Sequence, residues 1–266
     1  MGGRTEKDAE FARSYSKIDG AFKSLSRVLL GGEVGELADF RDYLEVYGTR
    51  NLKRKSFLGG EEVNLACTHY PADAQFITHT EVGEYGRRIL REPFEIDNLK
   101  DIDSLFEEAR ERVAYCGNKH LGNTQFTYGS DTVFDSAYVL DSKEILNCEY
   151  VAYSDNARHG KYKFGCSYEA ESSFVMKCVA CGWDTRALEG HIIFYCSDVY
   201  FVFQMENCTE CMFSFNQKSK RHMIGNIELG KEKYFELKGK LLGEVREELA
   251  RKKTFPSLFE LCGGGK

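Results

Sequence analysis

Proline is scarce in this chain of 266 residues. Only Pro71, Pro93 and Pro256 occur, so none interrupts the stretch between residues 93 and 256. Proline has no backbone N–H to donate to a neighbouring strand, and a stretch without it can form continuous strand ladders. Long apolar runs are missing too, since none approaches the ~20 residues that a membrane helix needs.

Signs of catalysis and of anionic partners are also missing. The chain has no nucleotide-binding glycine loop and no nucleophile elbow, and its six histidines show no metal-ligand spacing. The net charge of −6 argues against a general binder of nucleic acid or anionic membranes. The N-terminal sequence leads into a charged helix rather than a signal peptide, so we expect a cytoplasmic protein with reduced thiols.

Small residues recur at every sixth position in the second half of the chain. Reading by sixes from Ser130 to Ser214 gives thirteen Ser, Cys or Gly among fifteen residues. The series two residues earlier, from Tyr128 to Met212, has twelve apolar residues among fifteen. A short fixed period indicates a solenoid, in which each turn of the chain stacks on its neighbours.

A second rhythm sets the length of one coil. Aromatic residues alternate with other types in the series that begins at Phe126 and Thr132, so the full repeat is twelve residues. We therefore predict a narrow β-solenoid over 116–217, with about eight coils of twelve residues and an eighteen-residue coil as the alternative. Residues i and i+2 of a strand share a face, which would place the apolar series and the small series together in the core. The rhythm falters at 181–186, where a bulge or loop is expected.

The flanking regions have helical patterns, which makes the predicted fold class α+β. Residues 1–115 form a mixed N-terminal domain that begins with an amphipathic helix, from Phe11 to Leu29. A later helix of this domain starts near Asp103, a plausible N-cap. Residues 218–266 form a C-terminal capping helix and tail.

Two cysteine pairs suggest an alternative role in metal binding. Cys178 and Cys181 form one Cys-x-x-Cys pair, and Cys208 and Cys211 form another, as in a zinc site. The first cysteines of the two pairs are thirty residues apart, or two and a half coils, which is roughly 12 Å along the axis. A shared zinc site and a regular solenoid therefore exclude each other locally. Packing is the preferred reason for these thiols, so no cofactor is expected and zinc remains the alternative.

A short basic run suggests a second alternative, an RNA-associated factor. Lys218, Lys220 and Arg221 follow the repeat, and another basic run, Lys53-Arg54-Lys55, precedes it. Such groups could contact phosphate, although short basic runs are usually solvated surface.

Several segments resemble a known group of proteins. The Asn-Cys pairs at Asn147-Cys148 and Asn207-Cys208, the segment from Ser214 to Asn226 and the helix that begins at Lys231 carry the resemblance. They are similar to prokaryotic cysteine-rich repeat proteins that end in an Asn and basic segment followed by a helix rich in Lys, Glu and Tyr. The resemblance implies a repeat fold and brings no established activity.

The expected function is therefore that of a non-catalytic scaffold. No series of the repeat is reserved for a reactive side chain, and no catalytic residue is predicted. Three apolar residues are expected at outward positions, where the core does not require them: Val139, Phe201 and Phe203. Such residues suit a surface for a protein partner or for a second copy of the chain, because solenoids present extended binding faces.

Overall fold

The computed structural model of the chain describes residues 2–94, 97, 99–257 and 259–260. It contains a β-solenoid of about nine coils of about twelve residues, with helices before it and a long helix after it. The predicted architecture is confirmed, with one coil more than expected. Within the described ranges, no helix is long and apolar enough to cross a membrane.

The described residues contain five α-helices and eighteen strands. The helices are α1 (Gly2–Leu30), α2 (Arg41–Leu44), α3 (Val82–Arg91), α4 (Ile102–Arg112) and α5 (Lys231–Lys252). The strands are β1 (Leu52–Lys55), β2 (Glu62–Leu65), β3 (Gln75–Thr78), β4 (Ala114–Gly117), β5 (His120–Leu121), β6 (Gln125–Tyr128), β7 (Asp131–Phe134), β8 (Ala137–Leu140), β9 (Lys143–Ala152), β10 (Asp155–Phe164), β11 (Ser167–Ala170), β12 (Ser173–Met176), β13 (Thr185–Phe194), β14 (Ser197–Glu206), β15 (Thr209–Met212), β16 (Phe215–Lys218), β17 (Arg221–Ile224) and β18 (Ile227–Glu228).

Neighbouring coils pair in parallel with an offset of twelve residues. Asp155 pairs with Ser167, and the next coils repeat this offset as far as the pairing of β15 with β17. The coil length is therefore twelve, and the eighteen-residue alternative is wrong.

Each coil has four corners, and every corner is a residue with positive φ. From Phe126 to Gly225, every third residue has positive φ, and only three of these corners are glycine. A non-glycine residue in this region costs about 1–2 kcal/mol. Hydrogen bonding and burial along the solenoid must therefore offset a large conformational cost.

The corners change which residues form the interior. The small and apolar series were expected to share the core, and this is wrong, because a left-handed residue lies between them and reverses the direction of the next side chain. The interior contains the small series together with residues such as Val133, Val139 and Ile145. Leu140 points outward and packs beneath α1, whereas Phe134 is exposed.

The small residues form a ladder of hydrogen bonds inside the solenoid. Ser142 donates its hydroxyl to the carbonyl oxygen of Leu140 at 2.8 Å, and its Oγ accepts the N–H of Ser154 at 3.1 Å. In the same way, Oγ of Ser130 accepts the N–H of Ser142 at 3.0 Å. Serine and cysteine suit this series for two reasons. They are small, and their side chains form hydrogen bonds with backbone groups that the corners leave unpaired.

No bulge occurs at 181–186, so that expectation is wrong. Residues on both sides pair with the neighbouring coils at the usual offset, and the corners continue at Ala180, Trp183 and Arg186. Asp184 takes the place of a serine, since its Oδ1 accepts the N–H of Cys196 at 2.7 Å.

The helices cover one side of the solenoid and its last coils. Ile18 and Phe22 of α1 belong to one buried cluster with Phe164, and Tyr234 of α5 joins the same cluster. At one end of the solenoid, β3 pairs in parallel with β4, and at the other β18 pairs antiparallel with β17. Helix α4 is capped by Asp101 rather than Asp103, because the Asp101 carboxylate accepts the N–H of Ser104 at 2.8 Å.

Candidate interaction face

One side of the solenoid has neither helix nor loop over it. Two series of corner residues border this open face. The first runs in steps of twelve residues from Thr132 to Asn216, and the second runs in the same steps from Asp135 to Ser219. Between the corners lies a strand series that runs from Phe134 to Lys218. All residues of the second corner series are exposed. The neighbouring side that contains Lys143 is covered by residues 43–66, whereas the other neighbouring side, which contains Lys161, Thr185 and Arg221, is also open to solvent.

Aromatic and apolar side chains gather in the middle of the open face. The exposed fraction is 65% for Tyr168, 46% for Trp183, 58% for Tyr195 and 36% for Phe194. Together with Ile192, these four residues form what we call the aromatic patch. Its floor consists of the small residues Ala170, Ala180 and Gly182. Exposed apolar patches with a polar rim usually mark binding sites.

The spacing of the coils fixes the geometry of the patch. Trp183 and Tyr195 occupy the same corner in successive coils, and their rings stack with centroids 5.1 Å apart and planes 12° apart. The indole N–H of Trp183 donates to Oε2 of Glu171, one coil earlier, at 3.1 Å. Stacking on one side and the hydrogen bond on the other therefore hold the indole in place.

A shallow cleft lies where the patch meets the next coil. Its volume is about 420 Å³, and it is lined by Ile192, Phe194, Tyr195, Gln204, Met205 and Glu206. The two ends of the patch carry opposite charges. In the strand series, Arg158 lies at the end nearer the N-terminus and Glu206 lies at the end nearer the C-terminus. Glu206 also forms an ion pair with Lys218 at 2.7 Å.

A buried polar cluster joins the N-terminal region to the solenoid. Lys177 Nζ lies 3.1 Å from Oε2 of Glu189, and the hydroxyl of Tyr47 donates to Oε1 of the same carboxylate. The ammonium also lies 3.9 Å from the centre of the Tyr43 ring. Burial lowers the pKa of Lys177, and Lys177, Glu189 and His191 are almost fully buried. The cluster anchors residues 43–47 and is closed to a substrate.

The four cysteines of the zinc alternative lie inside the solenoid. Each Cys-x-x-Cys pair lies within one coil, but the two pairs are two and a half coils apart, roughly 12 Å along the axis. Cys178 Sγ lies 3.6 Å from the carbonyl oxygen of Met176, and Cys208 Sγ lies 3.3 Å from that of Glu206. Burial raises the pKa of the Cys178 thiol well above its usual value and that of Cys211 to about 12. Among the described residues, no group of three or more His, Cys, Asp or Glu side chains is placed to hold a metal ion.

The basic residues of the RNA alternative lie near acidic partners. Lys218 pairs with Glu206, and Lys220 pairs with Glu228. Arg221 is exposed on the next side of the coil, so the three charges do not form one patch. In the other run, Lys53 pairs with Glu62 at 2.9 Å.

The predicted outward apolar residues are not the ones that the structure exposes. Val139 lies in the solenoid interior, and Phe201 is buried against Phe255. Phe203 is partly buried, 5.9 Å from the ring of Phe259. Sequence reasoning missed Trp183 and Tyr195, although their spacing of twelve residues beside Ile192 and Phe194 is a usable signal once the corners are known.

No family model, curated protein or solved structure matches this chain. The face must therefore be interpreted from its own chemistry.

Proposed function

We propose that this protein is a non-catalytic scaffold that binds a protein partner through the aromatic patch. The observation that carries the proposal is the stacked, exposed pair Trp183 and Tyr195 on a regular β-solenoid. Tryptophan and tyrosine are enriched among the residues that dominate binding energy in protein interfaces. The rings are already held in place, so binding requires little loss of side-chain freedom.

The polar groups elsewhere support a scaffold rather than an enzyme. Lys177, Glu189 and His191 are buried and Tyr47 is partly buried, and these titratable side chains contact one another. The interior thiols contact backbone carbonyl oxygens. Both sets therefore contribute to folding, and the exposed side chains in the middle of the open face are mainly aromatic and apolar.

Site-specific photo-crosslinking in cells tests this proposal. A photoreactive phenylalanine analogue replaces Tyr195 in one variant and Phe106 in a control variant, because Phe106 is also exposed but lies on α4. We expect a discrete protein adduct at position 195 only, and we expect Trp183→Ser to abolish it. The proposal is wrong if position 195 gives no adduct, if both positions give the same adducts, or if Trp183→Ser leaves the adduct unchanged.

A further inference from the structure

We propose that the partner at the aromatic patch is the same patch on a second copy of this chain, with the two solenoids antiparallel. This inference rests on the proposed scaffold function and specifies its partner. The two-fold axis would lie in the contact plane, perpendicular to the solenoid axis, at the coil that contains Ala180, Gly182 and Trp183. Two-fold interfaces of this kind use the same surface on both subunits.

Such an axis places each series opposite itself in reversed order. In the strand series, the order along the solenoid is Arg158, Ala170, Gly182, Phe194 and Glu206. Gly182 then faces Gly182, and Phe194 of one copy faces Ala170 of the other. The exposed ring of Phe194 therefore meets a small residue, and this large-to-small contact occurs twice.

The charges at the two ends of the patch are complementary in the same arrangement. Arg158 and Glu206 both lie two coils from Gly182, in opposite directions, so Arg158 of each copy faces Glu206 of the other. Both side chains are exposed. Because each chain carries a net charge of −6, two copies repel at long range, and two opposite-charge contacts would favour this register over others.

The corner series agree with the same axis. In the first series Ala180 is central, so Tyr168 of one copy faces Ile192 of the other. In the second series Trp183 faces Trp183, and Glu171 of one copy faces Tyr195 of the other. The Glu171 carboxylate already accepts the Trp183 indole N–H and has a second oxygen that can accept the phenol O–H.

The contact is small, which determines how it must be measured. Five coils from Arg158 to Glu206 span roughly 19 Å at the usual strand spacing. Small interfaces give weak, concentration-dependent association. Sedimentation velocity of the full chain should therefore cover protein concentrations from about 10 µM to 1 mM, which is the range of weak association.

A pair of charge reversals tests the geometry directly. In Arg158→Glu, both contacts of a homodimer become Glu against Glu, and in Glu206→Arg both become Arg against Arg. Each variant alone should therefore dimerise at least about tenfold more weakly than the native chain. In an equimolar mixture, one Arg158→Glu chain and one Glu206→Arg chain have two opposite-charge contacts, so a heterodimer should form. Arg221→Glu, which makes the same charge change outside the open face, should dimerise like the native chain.

Three results would overturn the inference: a native chain that is monomeric at all concentrations, variants that each dimerise like the native chain, or a mixture that remains monomeric. Circular dichroism spectra that match the native chain establish that the variants are folded. A monomeric native chain that still forms an adduct with another protein at position 195 removes only the second-copy inference. A monomer without that adduct removes the scaffold proposal as well.

Discussion

Lys163 and Glu169 form an ion pair inside the solenoid, where both side chains are fully buried. They lie between two apolar interior clusters, one with Val139 and the other with Val175. Lys163 Nζ also donates to the carbonyl oxygen of Arg158 at 2.7 Å. Burial raises the pKa of Glu169, although the ammonium opposes this.

Removing one member of this pair should destabilise the protein strongly. Lys163→Met leaves the Glu169 carboxyl buried without its counter-charge, so we expect a loss of about 3–5 kcal/mol in the free energy of unfolding. The double variant Lys163→Met with Glu169→Met should be much closer to the native protein, because no buried charge remains. Urea unfolding measures both. A double variant as unstable as the single one would contradict this account.

Gly160 should not tolerate a side chain. Its φ is +155°, and a Cβ there would overlap the carbonyl oxygen of Ser172 and lie 2.8 Å from Lys163 Cε. Gly160→Ala should therefore cost more than about 2 kcal/mol in urea unfolding, since overpacking of a tight interior is expensive. Gly20→Ala is the control, because Gly20 lies in α1 with nothing near its Cβ position, and it should stabilise by up to about 1 kcal/mol. Equal effects of the two substitutions would contradict the role of Gly160.

The serine ladder should require an oxygen or a sulfur rather than a small side chain. Ser142→Ala leaves the buried N–H of Ser154 without its acceptor, which should cost about 1–3 kcal/mol and speed hydrogen exchange at that amide. Ser142→Cys keeps a weak donor and acceptor, as at Cys148, and should cost less. Urea unfolding and hydrogen exchange measured by NMR compare the two. An alanine variant as stable as the cysteine variant would show that size alone matters.

Asp184 should make stability depend on pH. Burial is the main cause that raises its pKa to about 8, and the nearby Glu169 adds to the shift. The folded protein therefore binds more protons than the unfolded chain between about pH 4 and pH 8, so the contribution of Asp184 to stability falls as pH rises through this window.

The variant Asp184→Ser restores the usual residue of the ladder and removes this titration. We compare the free energy of unfolding of this variant with that of the native protein by thermal unfolding. The difference, variant minus native, should be at least about 1.4 kcal/mol more positive at pH 9 than at pH 5, which corresponds to one pKa unit. Asp198→Ser is a control, because Asp198 lies on the outside of the coil and pairs with Arg186 at 2.6 Å. A constant difference between Asp184→Ser and the native protein across pH would contradict the raised pKa.

The sequence predicts the repeat well and the direction of the side chains poorly. The six-residue period that begins with Ser130, Ser136 and Ser142 is sufficient to predict the solenoid, because a fixed short period of this length is typical of stacked coils. The corners were hidden because residues such as Tyr138, Glu144 and Asn147 take the left-handed conformation that is usually assigned to glycine. The strand rule for i and i+2 then fails at each corner.

The same error hid the candidate face. Phe194 belongs to the apolar series that the strand rule places in the core, so its exposure does not follow from the sequence pattern. The sequence predicts the role of the cysteines better, because the small series indicates packing for Cys166 and Cys178, and both are fully buried. The hydrogen bonds of this series had a visible sign in the sequence: alanine, which is equally small, never occurs in its fifteen positions.

Helix α1 and the solenoid advance together along one direction. Phe11 contacts Tyr128, with ring centroids 4.9 Å apart, and Phe22 contacts Phe164, with ring centroids 5.5 Å apart. Eleven residues of helix rise roughly 16 Å, and three coils rise roughly 14 Å. The length of the helix therefore matches the number of coils beneath it. Duplication or loss of one of these coils would shift every later contact between the helix and the solenoid by one coil. Growth of this solenoid during evolution is therefore easiest beyond the reach of the helix.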